Sequence, residues 1–287
     1  MDAGDHANAS VVVDVALAPL LVPGELEQRG RTIFIVVDVI RATTSICVLL
    51  ERGCRRLRVA ETVAEALRLA DRSPTAAGAP RLTLAGEVGG LPPTGLDYGN
   101  SPAAFARGDY SAADVIFATS NGTRALFACA GGAATLVGAL RNAGAVARVA
   151  TERALAGASS EADASSRAPW TVMVVCAGAY DRPAMDDTIC AGVITAAVVE
   201  ELQAAACAVE IESGAQIALA VREAALARGL AAALADTWAA RAVVEIGLME
   251  DLAWCAALDA SMVVPCVAGS DPEHHLLRIE PWPGERG

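Results

Sequence analysis

The chain has 287 residues, a formal net charge of −12 and no lysine, so that all 22 of its cationic side chains are arginines. A strongly negative chain is a poor partner for nucleic acid, and the missing lysine excludes both Schiff-base chemistry and the lysine of a P-loop. No run of about 18 apolar residues occurs, and the acidic first residues lack the profile of a secretory signal, so we expect neither a membrane span nor export.

The first part of the chain predicts a buried strand that ends in an acid. Residues 1–9 read as a tail, and 10–17 alternate valine with small residues, as a strand does. Residues 33–37 are apolar and mostly β-branched, typical of a strand buried on both faces, and Asp38 follows them. Small or cationic hydrogen-bonding residues lead from there into an apolar helix: Arg41, Thr43, Thr44 and Ser45. A carboxylate beside a helix start predicts a site for a metal-assisted reaction on a phosphate.

A second unit repeats this strand, polar turn and helix. Residues 81–87 predict a strand ending in Glu87, and a loop rich in glycine and proline runs from there through Asn100 and Ser101. Residues 114–118 predict another strand, and a helix begins at Arg124. The turn between them contains Asn121, Gly122 and Thr123. Gly122 permits a φ that other residues resist, and the amides of this turn would suit an oxyanion.

The alternation of strands and helices continues and predicts a three-layer α/β/α fold with a mixed, mostly parallel sheet. Residues 170–176 are a strongly apolar strand, and Asp186 and Asp187 precede the next helix. Residues 262–267 are the last clear strand, and a tail is expected from Gly269 onward. We expect a single domain over 10–270, or two halves that meet near 157–169, with tails at 1–9 and 271–287. An alanine-rich helical surface makes a homodimer a possible assembly.

The cysteines indicate where the protein works. The eight cysteines contain no CxxC pair, and most of them lie in apolar runs. This pattern is typical of buried thiols in a reducing compartment rather than of disulfides or zinc ligands. We therefore expect a cytoplasmic protein.

Five short motifs together resemble the 2-phosphosulfolactate phosphatase family. They occur in the family's order between about Val36 and Pro265 and comprise Asp38–Ser45, Ala85–Glu87, Asp97–Pro102, Thr119–Thr123 and Cys176–Gly178. The resemblance implies a three-layer α/β/α hydrolase that uses Mg²⁺ to remove phosphate from 2-phospho-3-sulfolactate, a step toward coenzyme M. The chain departs from the family pattern at Tyr98, where Leu is usual, and at Ser120, where Thr is usual. It also departs at Asp186, where the family tends to have Glu. The last departure shortens a carboxylate and leaves the role of Asp186 open.

These motifs predict roles for particular residues, because a phosphate dianion repels a nucleophile unless cations hold its oxygens. Asp38 is the first choice for a magnesium ligand, with Glu87 and Asp187 as partners, since Mg²⁺ prefers carboxylates, water and substrate oxygens. The predicted catalytic residues are Asp38, Asp187 and Arg41. The predicted substrate-binding residues are Thr43, Thr44, Asn100, Ser101, Asn121, Gly122, Thr123 and Arg124. The expected partner is a small anionic phosphorylated substrate.

Each assignment has a structural alternative. Asp38 could cap the following turn, the arginines could form surface ion pairs, and Asp186 with Asp187 could cap a helix. The residues leave open whether Asp38 is a nucleophile or a ligand. Ile40 stands where haloacid-dehalogenase-like phosphatases have a second aspartate, which favours attack by water. The alternative function is an α/β protein that binds an anionic metabolite without hydrolysing it.

Overall fold

The computed structural model describes residues 10–72, 82–159 and 169–283, and within them the chain forms one large sheet covered by helices. The strands are β1 (Ser10–Ala16), β2 (Thr32–Val37), β3 (Arg56–Ala60), β4 (Leu82–Gly86), β5 (Asp114–Ala118), β6 (Ala134–Gly138), β7 (Trp170–Cys176), β8 (Ala208–Ile211), β9 (Pro265–Asp271) and β10 (Leu276–Pro281). The helices are α1 (Leu26–Arg29), α2 (Ala42–Glu51), α3 (Val63–Arg72), α4 (Pro102–Phe105), α5 (Gly122–Cys129), α6 (Ala143–Ser159), α7 (Met185–Ala204), α8 (Ser213–Arg228), α9 (Leu230–Ala235), α10 (Trp238–Glu245) and α11 (Glu250–Cys255).

The sheet has the order β4-β5-β3-β10-β9-β6-β2-β7-β1-β8. Strands β6, β2, β7, β1 and β8 form one parallel block, and β4, β5 and β3 form another. The antiparallel hairpin of β9 and β10 joins the two blocks. Helices cover both faces of this mixed, mostly parallel sheet, which confirms the predicted three-layer α/β/α fold.

Strand β2 shows why an unbroken apolar run was needed at the centre. All six of its residues are buried. Ile33, Ile35 and Val37 point into the hydrophobic cluster that includes α6 and α7. Phe34 and Val36 point to the opposite face, into the cluster that includes α2 and α5. From Ile33 onward this strand, covered on both faces, carries no polar side chain until it ends, and the first polar residue after it is Asp38.

The sequence interpretation was wrong at the carboxyl end of the chain. Residues from 269 onward were expected to form a tail, but β10 lies inside the sheet and pairs with both β3 and β9. Leu277 and Ile279 are buried while Arg278 is exposed, so this strand has a short alternating pattern that is easily overlooked. β8 and the first half of α8 also went unrecognised. The expected tail at 1–9 and most of the expected junction at 157–169 lie outside the described residues.

The loops after β2 and β5 meet, although three antiparallel pairings separate these strands within the sheet. Sheets twist by roughly 20–25° for each pair of neighbouring strands, and over five strand steps this twist turns one block strongly relative to the other. As a result, α5, which follows β5, packs against β2. The ends of both strands therefore face one cleft.

Among the helices of the described residues, none is long and apolar enough to cross a bilayer.

Candidate active site

Loops that follow strands of both parallel blocks line a cleft, whose other wall includes α10. Asp38 follows β2, Glu87 follows β4, Asn121 follows β5, and Asp186 lies in the first turn of α7 after β7. The cleft consists of two adjoining cavities of about 410 and 510 Å³, and Asp38, Asn121 and Trp238 line both of them. The structure thus brings together the acids and the asparagine turn that the sequence singled out.

Asp38 and Asp186 both line the smaller cavity. Burial raises the pKa of Asp38 to about 7, and the negative charges of Glu87 and Asp186 add to this rise, while the Ala42 N–H and Arg41 oppose it. Burial likewise raises the pKa of Asp186 to about 6, against the backbone N–H groups at the start of α7. Two crowded carboxylates that face one cavity favour a bound cation, because a cation relieves both their repulsion and their desolvation.

Asp187 is buried and holds two loops together. Its Oδ1 accepts a hydrogen bond from the Val39 N–H at 2.9 Å, and its Oδ2 accepts one from the Gly178 N–H at 2.9 Å. Burial and the charges of Asp186 and Asp38 raise its pKa well above the usual range of a carboxyl. These contacts make Asp187 a support between the loops after β2 and β7. Its predicted roles as metal ligand and catalytic group stay predictions.

Glu87 supports the site in the same way. Its Oε1 accepts a hydrogen bond from the Ser120 N–H at 2.8 Å, and its Oε2 accepts one from the Gly90 N–H at 2.6 Å. The side chain is buried and lines the larger cavity. Glu87 therefore joins the glycine-rich loop to the turn after β5, and its negative charge also acts on Asp38.

The guanidinium of Arg41 is buried and fixed on two sides. It donates to Asp251 Oδ2 at 3.1 Å and to the Gly90 carbonyl at 2.6 Å. Asp251 also accepts hydrogen bonds from the Ser101 hydroxyl and the Ala103 N–H. The sequence interpretation missed Asp251, because nothing in its local pattern pairs it with a residue 210 positions away.

Several predicted substrate-binding hydroxyls instead shape the loops. Thr43, Thr44 and Thr123 are fully buried. Their hydroxyls donate to the backbone carbonyls of Asp38, Val39 and Thr119, each at 2.9 Å. Ser101 caps α4 by accepting from the Ala104 N–H, and it donates to Asp251. These contacts do not support a direct role of the four hydroxyls in substrate binding.

The two asparagines, by contrast, are available to a ligand. Asn100 is buried and lines the larger cavity, and its Oδ1 forms no hydrogen bond within the described residues. Asn121 precedes α5 without capping it through its side chain, and it lines both cavities. A buried amide oxygen without a partner is costly, which indicates a place for a ligand or an ordered water.

Gly122 is needed for a different reason from the expected one. Its φ does not lie in the left-handed region that the sequence interpretation suggested. A Cβ at this position would lie 2.6 Å from Asp38 Oδ2 and 2.7 Å from the Cβ of Ala42. Only glycine lets the start of α5 approach the Asp38 carboxylate this closely. The positive end of that helix thus faces the acid and any anion beside it.

Two further arginines lie near the cleft: Arg182 lines it, and Arg124 lines a neighbouring pocket that shares Asn121 with it. Arg124, predicted to bind substrate, forms an ion pair with Asp181 at 3.5 Å, and both side chains are about half exposed. Arg182 is exposed and lines the smaller cavity. Arg182 follows strand β7 as Arg41 follows β2, but the sequence interpretation did not select it. The exposed rings of Tyr180 and Trp238 meet edge to face beside them.

Comparisons with known proteins agree with this geometry. A family model described as 2-phosphosulpholactate phosphatase matches residues 20–270. A probable 2-phosphosulfolactate phosphatase of Thermus thermophilus is 34% identical over 250 residues, which cover 87% of this chain and 93% of the relative. A probable 2-phosphosulfolactate phosphatase of Deinococcus radiodurans is 35% identical over 247 residues, with coverage of 85% and 92%.

An α/β/α sheet with a carboxylate-lined cleft at its strand ends, together with these matches, defines a phosphoric monoester hydrolase. The family match extends over most of the chain and includes every acid of the cleft described above. The chain belongs to the 2-phosphosulfolactate phosphatase family.

Proposed function

We propose that this protein hydrolyses 2-phospho-3-sulfolactate to 3-sulfolactate and phosphate with the help of Mg²⁺. The observation that carries the proposal is the pair of Asp38 and Asp186, which line one cavity where burial and the charges of Glu87 and Asp186 raise the pKa of Asp38 to about 7. Relatives that match nearly the full length of the chain bear the name of this activity.

The donor set of the cleft fits a magnesium ion. Asp38 and Asp186 would hold it, since both line the smaller cavity, and Asn100 lines the adjoining one. Among the described residues, no group of three or more His, Cys, Asp or Glu side chains converges as a complete metal cage. Two carboxylates with water and phosphate oxygens are the ligands that Mg²⁺ prefers, whereas zinc would call for nitrogen or sulfur. When bound, the ion would neutralise phosphate oxygens and the acids beside them.

The residues of the chain then position the ester. Arg41, which Asp251 and the Gly90 carbonyl hold in place, presents a fixed positive charge at the larger cavity. The amide of Asn121 and the positive end of α5 offer neutral donors to phosphate oxygens. Preorganised donors of this kind favour the transition state of phosphoryl transfer, because they need no rearrangement when charge shifts.

The reaction consists of one substitution at phosphorus. A water oxygen forms a bond to phosphorus while the bond between phosphorus and the ester oxygen breaks. The proton of the attacking water ends on the departing alkoxide, which leaves as the hydroxyl of 3-sulfolactate. Ile40 occupies the position of a second catalytic aspartate, so direct attack by water suits this chain better than an aspartyl-phosphate.

The cysteines support a reducing compartment for this reaction. All eight lie in the described part of the chain, are buried and form no disulfide. Burial raises the pKa of several of these thiols, including that of Cys54 to about 11, which keeps them protonated and unreactive. We therefore propose a cytoplasmic location.

Phosphate release from 2-phospho-3-sulfolactate tests the proposal. The protein is treated with a chelator, dialysed and assayed with and without added Mg²⁺. We expect no release without the cation and multiple turnovers with it. Binding of the ester without release of phosphate under both conditions would instead support a non-catalytic metabolite-binding protein.

A further inference from the structure

Arg182 differs from Arg41 and Arg124 because it has no ionic partner within the described chain. It lines the cavity that contains Asp38 and Asp186. Its guanidinium forms no ion pair or hydrogen bond within the described residues, although acids line the same cavity. Arg41, by contrast, is paired with Asp251, and Arg124 is paired with Asp181. A guanidinium without an ionic partner, in a cavity that two carboxylates also line, is available to an anionic ligand.

The loop that carries Arg182 has a defined shape. The Ala179 N–H donates to the Arg182 carbonyl at 2.9 Å, and the Arg182 N–H donates to the Ala179 carbonyl at 3.1 Å. Gly178 has a φ of 67°, and a Cβ on it would lie 2.3 Å from the Arg182 carbonyl oxygen. Asp187 holds the same loop through the Gly178 N–H. The backbone of Arg182 is thus fixed relative to the acids at the start of α7.

The charge of the proposed substrate requires such a residue. A 2-phospho-3-sulfolactate molecule carries a carboxylate and a sulfonate besides its phosphate, and it must enter a cleft that already contains Asp38, Asp186 and Glu87. A cation at Asp38 and Asp186 would neutralise the phosphate end only. The wall formed by α10 carries Trp238, Ala239 and Val243, together with a further acid, Glu245. The second acid group therefore needs a cation elsewhere in the cleft.

We propose that Arg182 binds the acid group, carboxylate or sulfonate, that the substrate carries beside its phosphate ester. Arg182 is then the residue that makes the enzyme select phosphorylated acids over phosphate esters that carry no second acid group. A guanidinium can donate two hydrogen bonds to either kind of oxyanion, which gives it direction as well as charge. The inference rests on the proposed phosphatase function and names the substrate class of that same site.

Three esters with one carbon skeleton separate the contributions of the acid groups. Isopropyl phosphate has no second acid, 2-phospholactate adds a carboxylate, and 2-phospho-3-sulfolactate adds a sulfonate as well. We compare the wild type with Arg182→Ala and Arg182→Lys. The control is Arg56→Ala, which removes an exposed arginine at the amino-terminal end of β3.

We expect Arg182→Ala to lower kcat/KM for an acid-bearing ester by about 10- to 100-fold, mainly through KM, as the loss of a charged hydrogen bond predicts. The value for isopropyl phosphate should change by less than about 3-fold, and Arg182→Lys should recover part of the loss. A loss that is already present with 2-phospholactate assigns Arg182 to the carboxylate. A loss seen only with 2-phospho-3-sulfolactate assigns it to the sulfonate.

Three results would overturn the assignment. They are an equal loss of kcat/KM with all three esters, no loss of kcat/KM with any of them, or the same loss of kcat/KM in Arg56→Ala. A loss that occurs in Arg124→Ala instead would transfer the role to that residue. If the wild type releases phosphate from no ester, the proposed function fails, and calorimetric binding of 3-sulfolactate decides the question. Weaker binding by Arg182→Ala than by the wild type would still support the assignment, and equal or undetectable binding would reject it.

Discussion

Asp186 and Asp187 are adjacent in sequence but have different surroundings. The two oxygens of Asp187 accept N–H donors from loops after two different strands. The carboxylate of Asp186 lines the cavity, and only the backbone at the start of its own helix holds it. The local structure therefore separates a support from a group that is free to bind a ligand.

Substitution of each aspartate by asparagine should separate these roles. Asp187→Asn places an NH₂ group against a backbone N–H and should lower the free energy of unfolding by about 1–3 kcal/mol. Asp186→Asn removes a crowded charge and should leave the stability of the metal-free protein equal to or above that of the wild type. It should also lower Mg²⁺-dependent phosphate release by about 100-fold or more. Urea denaturation and phosphate release measure the two effects, and the reverse pattern would contradict the distinction.

Sequence motifs selected Asp38, Glu87 and Asn121 because strand ends and polar turns are local signals. They did not select Asp251 or Arg182, since the role of Asp251 depends on a partner 210 residues away and that of Arg182 on a cavity. Hydroxyls were assigned to the substrate because a sequence does not show which side of a loop they occupy. Thr43 and Thr44 occupy the buried side.

At the level of secondary structure, the buried pair of Arg41 and Asp251 joins the start of α2 to α11. Asp251 also accepts from the Ser101 hydroxyl at 2.5 Å and from the Ala103 N–H at 3.3 Å, so one carboxylate holds the start of α4 as well. Three helices around the cleft thus meet at one side chain. The position of the Arg41 guanidinium depends on this junction.

Asp251→Ala should destabilise the protein by about 3–5 kcal/mol, because it leaves the buried charge of Arg41 without its partner. Glu250→Ala is the matched control: Glu250 is the preceding residue on α11, and its ion pair with Arg107 is mostly exposed. That change should cost no more than about 1 kcal/mol. Chemical denaturation of both variants measures the difference, and equal losses would show that Asp251 is not the junction described here.

The predictability of the elements follows their length and burial. β2 and β7 were evident, since a strand covered on both faces must be apolar throughout. β10 was not, because its buried residues alternate with Arg278 and Glu280 after a polar turn and resemble a solvated end of the chain. Its place between β3 and β9 depends on pairing with distant strands, and no local pattern encodes that pairing.

At the scale of the whole molecule, the cleft concentrates negative charge within a protein that is already acidic. The pKa of Asp38 is raised to about 7 and that of Asp186 to about 6. At pH values between the usual pKa of a carboxyl and these raised pKa values, the folded protein binds more protons than the unfolded chain does. The contribution of these groups to stability is therefore complete at acid pH and is lost as the pH rises through 6 and 7.

The metal-free protein should consequently lose stability between pH 5 and pH 8, and Asp38→Asn should lose less over the same range. The comparison with the variant removes the contribution of all other titrating groups. Urea denaturation in the presence of a chelator measures both proteins at both pH values. An equal change in the wild type and the variant would show that the Asp38 carboxyl is not held in a crowded, desolvated place.

The central claim is that Asp38, together with Asp186, holds a divalent cation where the phosphate ester is hydrolysed. Calorimetric titration of Mg²⁺ into chelator-treated protein at pH 8 tests it most directly, with Asp109→Asn, which changes an exposed loop acid, as the control. The wild type and the control should bind Mg²⁺ and release phosphate, while Asp38→Asn should keep the fold, as judged by circular dichroism, and do neither. A folded Asp38→Asn variant that binds Mg²⁺ and releases phosphate like the wild type would contradict the account.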